Sequence, residues 1–288
     1  MERTINSGQM FMWEKINNSW YGIYGDHVLK FSILSNNNDK RIEFFSLPEM
    51  KHWERKVFRL DDDIKKILSS FSHDMLVSEA IRRYSGLRIM RQDPHQCMLS
   101  FVCASNTNIP MIRRMLQNLC RKFGGKVILD GKEFFTFPTI SRLNSATIQE
   151  LLLCSVGYRA KAIKMLTANI ASESLDINNL IQMGYYQAKE ELMKIYGIGN
   201  KIADCILLFS LEKLDSFPID TWIARALSLH YHWLLGQSVK WEKNPNKKID
   251  NSQYEMLSES LRNYFGKYSG YAQQYIYYHM RQAARRNW

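Results

Sequence analysis

No C-x-x-C pair occurs in this chain, and its cysteines number only five, at positions 97, 103, 120, 154 and 205. An odd, scattered set without paired spacing excludes a disulfide framework and a zinc finger. Also missing is any apolar run near the roughly 18 residues of a membrane-spanning helix. The opening Met1-Glu2-Arg3-Thr4 does not read as a signal peptide. An intracellular protein with no membrane partner is therefore expected, in the cytoplasm or nucleoid or in a nucleus. No internal repeat or low-complexity segment is found. Acids are in deficit: 28 Asp and Glu against 39 Lys and Arg leave a formal net charge of +11. That surplus points to a polyanion, although charge alone does not separate DNA, RNA and an anionic surface.

What is present is a globular composition, 45% hydrophobic and 23% charged over 288 residues, enough for two or three compact units. The first part is β-rich. Phe11 and Trp13, then Trp20 to Tyr24, flank a turn at Asn17-Asn18, and Gly25-Asp26 makes a second. Leu29, Phe31 and Ile33 alternate with polar neighbours up to Leu34 as a half-buried strand would. Asn36 to Asn38 is a loop, and Ile42 and Phe44 predict one more strand. Asp61-Asp62-Asp63 suits the acidic first turn of a helix better than a metal site. A helix over Asp74 to Tyr84 ends at Gly86.

From Leu87 onward the pattern is helical. Pro94 starts a helix carrying Met98, Phe101 and Val102. Ser105-Asn106-Thr107-Asn108 interrupts it before a second helix through Met115, Leu119 and Phe123, closed by Gly124-Gly125. Phe134 to Pro138 reads as a connector, Ser145 as the start of a helix through Leu151, and Gly157-Tyr158-Arg159 as the start of another. Lys240 to Asn251 is a polar, lysine-rich loop, and a last helix carries Tyr271, Gln273, Tyr277 and Met280. The expected fold is α+β, with an N-terminal antiparallel β domain and terminal helices over 1–86 and a mostly helical region over 87–288.

The most informative stretch runs from Glu191 to Leu227. Ala188, Leu192 and Ile195 share one helical face; Gly197 and Gly199 break that helix; Ile202, Cys205, Ile206 and Phe209 resume the period. Two helices joined by a tight glycine turn, over about 187–210, leave backbone N–H groups free to bind a phosphate. Taken singly, the turn is a common connection, Lys201 a solvated or phosphate-pairing lysine, and Asp220 in FPID an ordinary N-cap.

Together, G-h-G-x-K followed by h-P-h-D resembles the helix-hairpin-helix DNA glycosylases that pair a lysine nucleophile with an aspartate. The likeness extends through NSGQMFMW (6–13), RQDPHQCMLSFVCASNTNI (91–109), GYRAKAI (157–163), GIGNKIADC (197–205), FPID (217–220) and GKYSGYAQQYIYY (266–278). Six blocks in order over nearly the whole chain resemble the 8-oxoguanine DNA glycosylase family, in the form with an N-terminal β domain. The resemblance implies a bifunctional glycosylase and abasic-site lyase acting on duplex DNA that contains 8-oxoguanine, working as a monomer. Relatives elsewhere in the superfamily hold an iron–sulfur cluster on C-terminal cysteines; none follows Cys205 here, and neither metal nor cofactor is implied.

By the same resemblance Lys201 is the nucleophile and Asp220 the carboxylate that stabilises charge on the sugar. Cys205 and Tyr277 sandwich the lesion, Gln273 reads its Watson–Crick edge, and the Gly8 carbonyl accepts from N7–H, where guanine has only an acceptor. Helical spacing agrees, since Lys201 with Cys205 and Gln273 with Tyr277 are both i, i+4 pairs. Asn106 fills the gap left by the extruded base, Tyr158 wedges the stack and Arg159 reads the orphaned cytosine, while Gly197, Gly199 and Trp222 face the backbone. Three positions depart from the family: Tyr277 replaces the commoner phenylalanine, Met111 a second cytosine-reading arginine, and Trp222 a histidine. A glycosylase for another damaged base would keep Lys201 and Asp220 without the Gly8, Cys205, Gln273 and Tyr277 set. A non-catalytic nucleic-acid-binding module would need neither.

Overall fold

The computed structural model describes residues 1–36, 39–235 and 249–286. After a one-turn helix α1 (Glu2–Ile5), four strands pair antiparallel in chain order: β1 (Trp13–Ile16), β2 (Ser19–Tyr24), β3 (His27–Asn36) and β4 (Asp39–Leu47). Both predicted turns are present, Asn17 and Gly25 supplying the positive φ that two-residue hairpins need. Trp13 lies opposite Gly22, and Trp20 opposite Phe31, which pairs with Phe44. That face forms a small aromatic core closed by α2 (Trp53–Val57) and Phe58. Gly22 is required there, because a Cβ would stand 2.3 Å from the Trp13 ring.

The other face, through Tyr21, Ile23 and Val28, packs into the main helical core. The inner strands are therefore covered on both faces where Tyr21, Ile23 and Val28 lie; along β3 the expected alternation holds, with Leu29 and Phe31 buried and Lys30 and Ser32 partly exposed, until Ile33 and Leu34, which are exposed. Gln96 ties the sheet to the helices, accepting from Gly25 N at 2.8 Å and donating to the Ile23 carbonyl at 2.9 Å.

Helix starts follow their caps. Asp63 receives Lys66 N and opens α3 (Ile64–Ser69), Asp74 opens α4 (Met75–Arg83), Asp93 opens α5 (Pro94–Cys103), and Asn108 opens α6 (Ile109–Phe123). Asp61 pairs with Arg91 at 3.2 Å and Asp62 accepts from the Tyr271 hydroxyl at 2.6 Å. Among the described residues no group of His, Cys, Asp and Glu is placed to hold a metal.

Two expectations are corrected. The connector at Phe134 is the second strand of a hairpin, β5 (Lys126–Leu129) and β6 (Lys132–Phe135), turned at Asp130-Gly131 with φ of +52° and +70°. Ser145 ends α7 (Ile140–Ser145) instead of opening a helix. The next, α8 (Ile148–Leu152), starts at Thr147, whose hydroxyl and amide bond reciprocally with Glu150.

The chain continues through α9 (Arg159–Ala171), α10 (Ile177–Gln182), α11 (Tyr185–Met193), α12 (Asn200–Ser210), α13 (Thr221–His230), α14 (Asn251–Phe265) and α15 (Ser269–Arg286). The lysine-rich loop read at 240–251 lies outside the described residues up to position 248. Helix α12 is buried from Ile202 to Ser210 and packs against α5 and α11, while α15 packs on α4 and α13. Among the described residues no helix is long and apolar enough to cross a membrane.

Candidate active site and nucleic-acid interface

Helix α12 carries the predicted lysine, and its start explains why the chain turns there. Gly197 holds φ +87° with a Cβ position only 2.5 Å from Ala162 Cβ, so the hairpin seats directly on α9. Gly199 is different. It is extended (φ −98°, ψ −179°) with open space around it, so its glycine is not needed for backbone geometry. It caps α12 without a side-chain bond, leaving amides of the first turn unfilled. The hairpin thus has the free N–H groups that suit a phosphate.

One turn further on, Cys205 is buried beneath Lys201. Burial pushes its thiol up to about 12, the nearby Lys201 charge only partly opposing this, so the sulfur stays neutral and apolar. Lys201 Nζ lies 5.6 Å from the centroid of the Phe101 ring.

Asp220 begins α13, its Oδ1 accepting from Ile223 N at 2.9 Å. It is both a helix cap and a neighbour of the lysine. Burial raises its carboxyl above the usual range; the Ile223 amide, the Lys201 charge and the Trp222 amide pull in the other direction. From α15, Gln273 donates to the Pro218 carbonyl at 3.0 Å, anchoring the amide to the loop that presents Asp220. Its Oε1 is buried without a protein partner, a cost of about 1–3 kcal/mol that a ligand donor would relieve. Tyr277 follows one turn later, its hydroxyl pushed up to about 12 chiefly by burial.

Gly8 faces this helix from the opposite end of the chain. Its φ is +91°, and a Cβ would stand 2.8 Å from both Arg281 Nη1 and the Tyr277 hydroxyl. Its neighbours hold it firmly: the Gln9 side chain accepts from Met90 N at 2.6 Å, and the Ser7 carbonyl accepts from Gln274 at 3.4 Å.

Gly8, Lys201, Cys205, Asp220, Gln273 and Tyr277 line one cavity of about 460 Å³, with Trp222 at its wall. The catalytic and base-contacting residues predicted from the chain are thus brought together. The lining residues that the chain alone does not point to include Phe101, Phe209 and Arg281. Helical rows could have found two of them, since Phe209 continues the Lys201, Cys205 row and Arg281 the Gln273, Tyr277 row.

Asn106, Tyr158 and Arg159 lie apart from the cavity wall and form their own cluster. Asn106 is exposed with φ +47°. The adjacent Ser105 carbonyl accepts from the Tyr158 hydroxyl at 3.1 Å and from Arg159 Nη2. The Arg159 guanidinium stacks 4.5 Å from the Tyr158 ring centroid and is largely buried. To reach a base it must release the Ser105 carbonyl. Met111, in the first turn of α6, is partly exposed and outside the cavity.

Comparison with known proteins agrees with this architecture. Residues 1–98 match the family model described as 8-oxoguanine DNA glycosylase, N-terminal domain. The 8-oxoguanine glycosylase/lyase of Clostridium acetobutylicum, solved with double-stranded DNA containing cytosine opposite 8-oxoG, superposes with a TM-score of 0.84 at 30% identity, covering 99% of this chain and 92% of that one. The N-glycosylase/DNA lyase of Saccharomyces cerevisiae is 29% identical over 95% of this chain and 81% of its own length. A 3-methyladenine DNA-glycosylase from Archaeoglobus fulgidus shares the fold, with a TM-score of 0.71 at 16% identity. Matched in its N-terminal domain and along nearly its whole length, the chain belongs to the 8-oxoguanine glycosylase/lyase family.

Proposed function

We propose that this protein excises 8-oxoguanine from duplex DNA and cleaves the resulting abasic strand, with Lys201 and Asp220 performing the chemistry. The observation that carries the reading is one cavity walled by Lys201, Asp220, Cys205, Gln273, Tyr277 and Gly8. A base inside a duplex is unreachable, so the damaged nucleotide must be turned out of the stack into that cavity. Tyr277 and the neutral Cys205 supply apolar walls for a planar base, and the Gln273 amide a polar edge. Gly8 leaves room for the ring where any side chain would collide with Tyr277 and Arg281. On the DNA side, the hairpin with Gly197 and Gly199 takes a backbone phosphate. Trp222 and the Asn106, Tyr158 and Arg159 cluster engage the opened duplex.

Cleaving the N-glycosidic bond leaves positive charge on the sugar, which the partly buried Asp220 carboxylate stabilises. After giving up a proton, the Lys201 amine attacks C1′ as the bond to the base breaks and the base leaves with its electron pair; the sugar ring then opens to give a Schiff base with the lysine. Loss of a C2′ proton then expels the 3′ phosphate by β-elimination. A 3-methyladenine DNA-glycosylase shares the fold, so the reading rests on the residues that line the cavity and not on the fold. Borohydride reduction on an 8-oxoguanine duplex should leave a covalent adduct with the natural protein and none with Lys201→Gln, which should still bind DNA. An adduct of normal yield in the variant removes Lys201 from the mechanism.

A further inference from the structure

Between Lys201 and Cys205, helix α12 carries Asp204, whose side chain is fully buried. Four side chains donate to this carboxylate: the Tyr185 hydroxyl at 2.6 Å, the Tyr254 hydroxyl at 2.7 Å, Ser216 Oγ at 3.1 Å and Lys189 Nζ at 3.3 Å. A buried carboxylate costs several kcal/mol unless donors replace its water, and here α11, α14 and the loop before Asp220 all contribute. Tyr254 does something the other three do not. Its hydroxyl also accepts the amide hydrogen of Ile219, at 3.0 Å. Ile219 immediately precedes Asp220. A two-bond relay, Ile219 N–H to Tyr254 to Asp204, therefore joins the loop that presents the carboxylate to the helix that presents the lysine.

We propose that Tyr254 is a positioning residue for the glycosylase step, fixing Asp220 relative to Lys201 through Asp204. This rests on the roles given to Lys201 and Asp220 above. The relay is built to persist: Tyr254 is buried, and burial raises its hydroxyl well above the ordinary tyrosine value, so it stays a donor to Asp204. Without it, Ile219 N–H loses its acceptor, and the preceding loop is held by Ser216 Oγ to Asp204 at 3.1 Å, Ser258 to the Phe217 carbonyl at 3.5 Å and Gln273 to the Pro218 carbonyl at 3.0 Å, none of which reaches Ile219 itself.

The test compares Tyr254→Phe with Tyr185→Phe. Both remove one donor from Asp204 and keep the ring, but only the first touches the Asp220 loop. Tyr254→Phe should lower the single-turnover excision rate roughly 10- to 100-fold, the scale of a sub-ångström to 1 Å misplacement, while affinity for lesion duplex stays unchanged. Tyr185→Phe should keep the natural rate.

Equal rates in the two variants overturn the proposal, as does equal loss of rate and lesion affinity, which would mean general damage. Asp220→Asn run alongside separates the failures: if it retains its rate, the reading of the whole site falls; if it is inactive while Tyr254→Phe is normal, the relay falls alone. Hydrogen exchange on the natural protein needs no variant. The Ile219 amide should be protected well beyond an open loop, and exchange at the open-loop rate overturns the relay directly.

Discussion

Replacing Asp220 by Asn removes a charge and preserves the shape, because the amide oxygen still accepts from Ile223 N and α13 keeps its cap. Two consequences should diverge. Excision should slow by about 10²- to 10³-fold, since one electrostatic contact to the developing charge is worth about 2.7–4 kcal/mol in a shielded site. Stability should rise. Burial lifts the carboxyl of Asp220 above its ordinary value, so the folded chain holds this proton more tightly than the unfolded chain does. The native state then binds the excess proton, and stability falls as pH rises from the unfolded pKa through the folded one. Above both values the ionised carboxylate is a net burden on the fold. The Asn variant should therefore melt at a higher temperature than the natural protein at about pH 7.5, with the gap closing toward about pH 4. Single-turnover excision of an 8-oxoguanine duplex and thermal melts at the two pH values are the assays. A rate within a few-fold of natural would return Asp220 to a helix cap, and a lower melting temperature near neutral pH would refute the burial argument.

Two further predictions concern shape and partner base. Gly8→Ala should destabilise the protein by about 1–2 kcal/mol, the cost of a side chain at positive φ. Its Cβ displaces the Tyr277 hydroxyl and Arg281, so lesion affinity should fall more than affinity for undamaged duplex; denaturation and binding titrations check this, and equal losses on both duplexes would count against it. Met111→Arg should raise preference for cytosine opposite the lesion by roughly 5- to 150-fold, or about 1–3 kcal/mol. Excision on the four partner duplexes measures it, and an unchanged ranking removes position 111 from base reading.

Local chemistry in this chain is legible where it is complete within a few residues. Asp63, Asp74, Asp93 and Asp220 announce helix starts because a cap needs only its own next turn. Asp130-Gly131 and the Thr147-to-Glu150 pair are signals of the same kind, but four-residue strands and a five-residue helix give periodicity too little length to register. Gly199 differs from Gly197: beside the glycine turn it takes an extended conformation open to any residue.

The site divides in the same manner. Lys201 and Cys205 fall on one helical row, as do Gln273 and Tyr277. That these rows meet across a cavity with Gly8 rests on tertiary packing, and only the family resemblance pointed to it. Asp204 left no mark at all. An aspartate within an apolar helix looks the same in sequence whether it faces solvent or, as here, four donors drawn from up to 50 positions away.

The cavity is walled by opposite ends of the described chain: Gln274 reaches the Ser7 carbonyl across 267 positions, and Arg281 stands against Gly8. Synthesis runs from one end to the other, and domains ordinarily assemble as they emerge. With α12 and α13 in place Lys201 and Asp220 are already present, whereas Gln273 and Tyr277 wall the cavity they share only once α15 docks. On the proposed reading, the choice of base therefore depends on a different packing step from the one that assembles the chemistry.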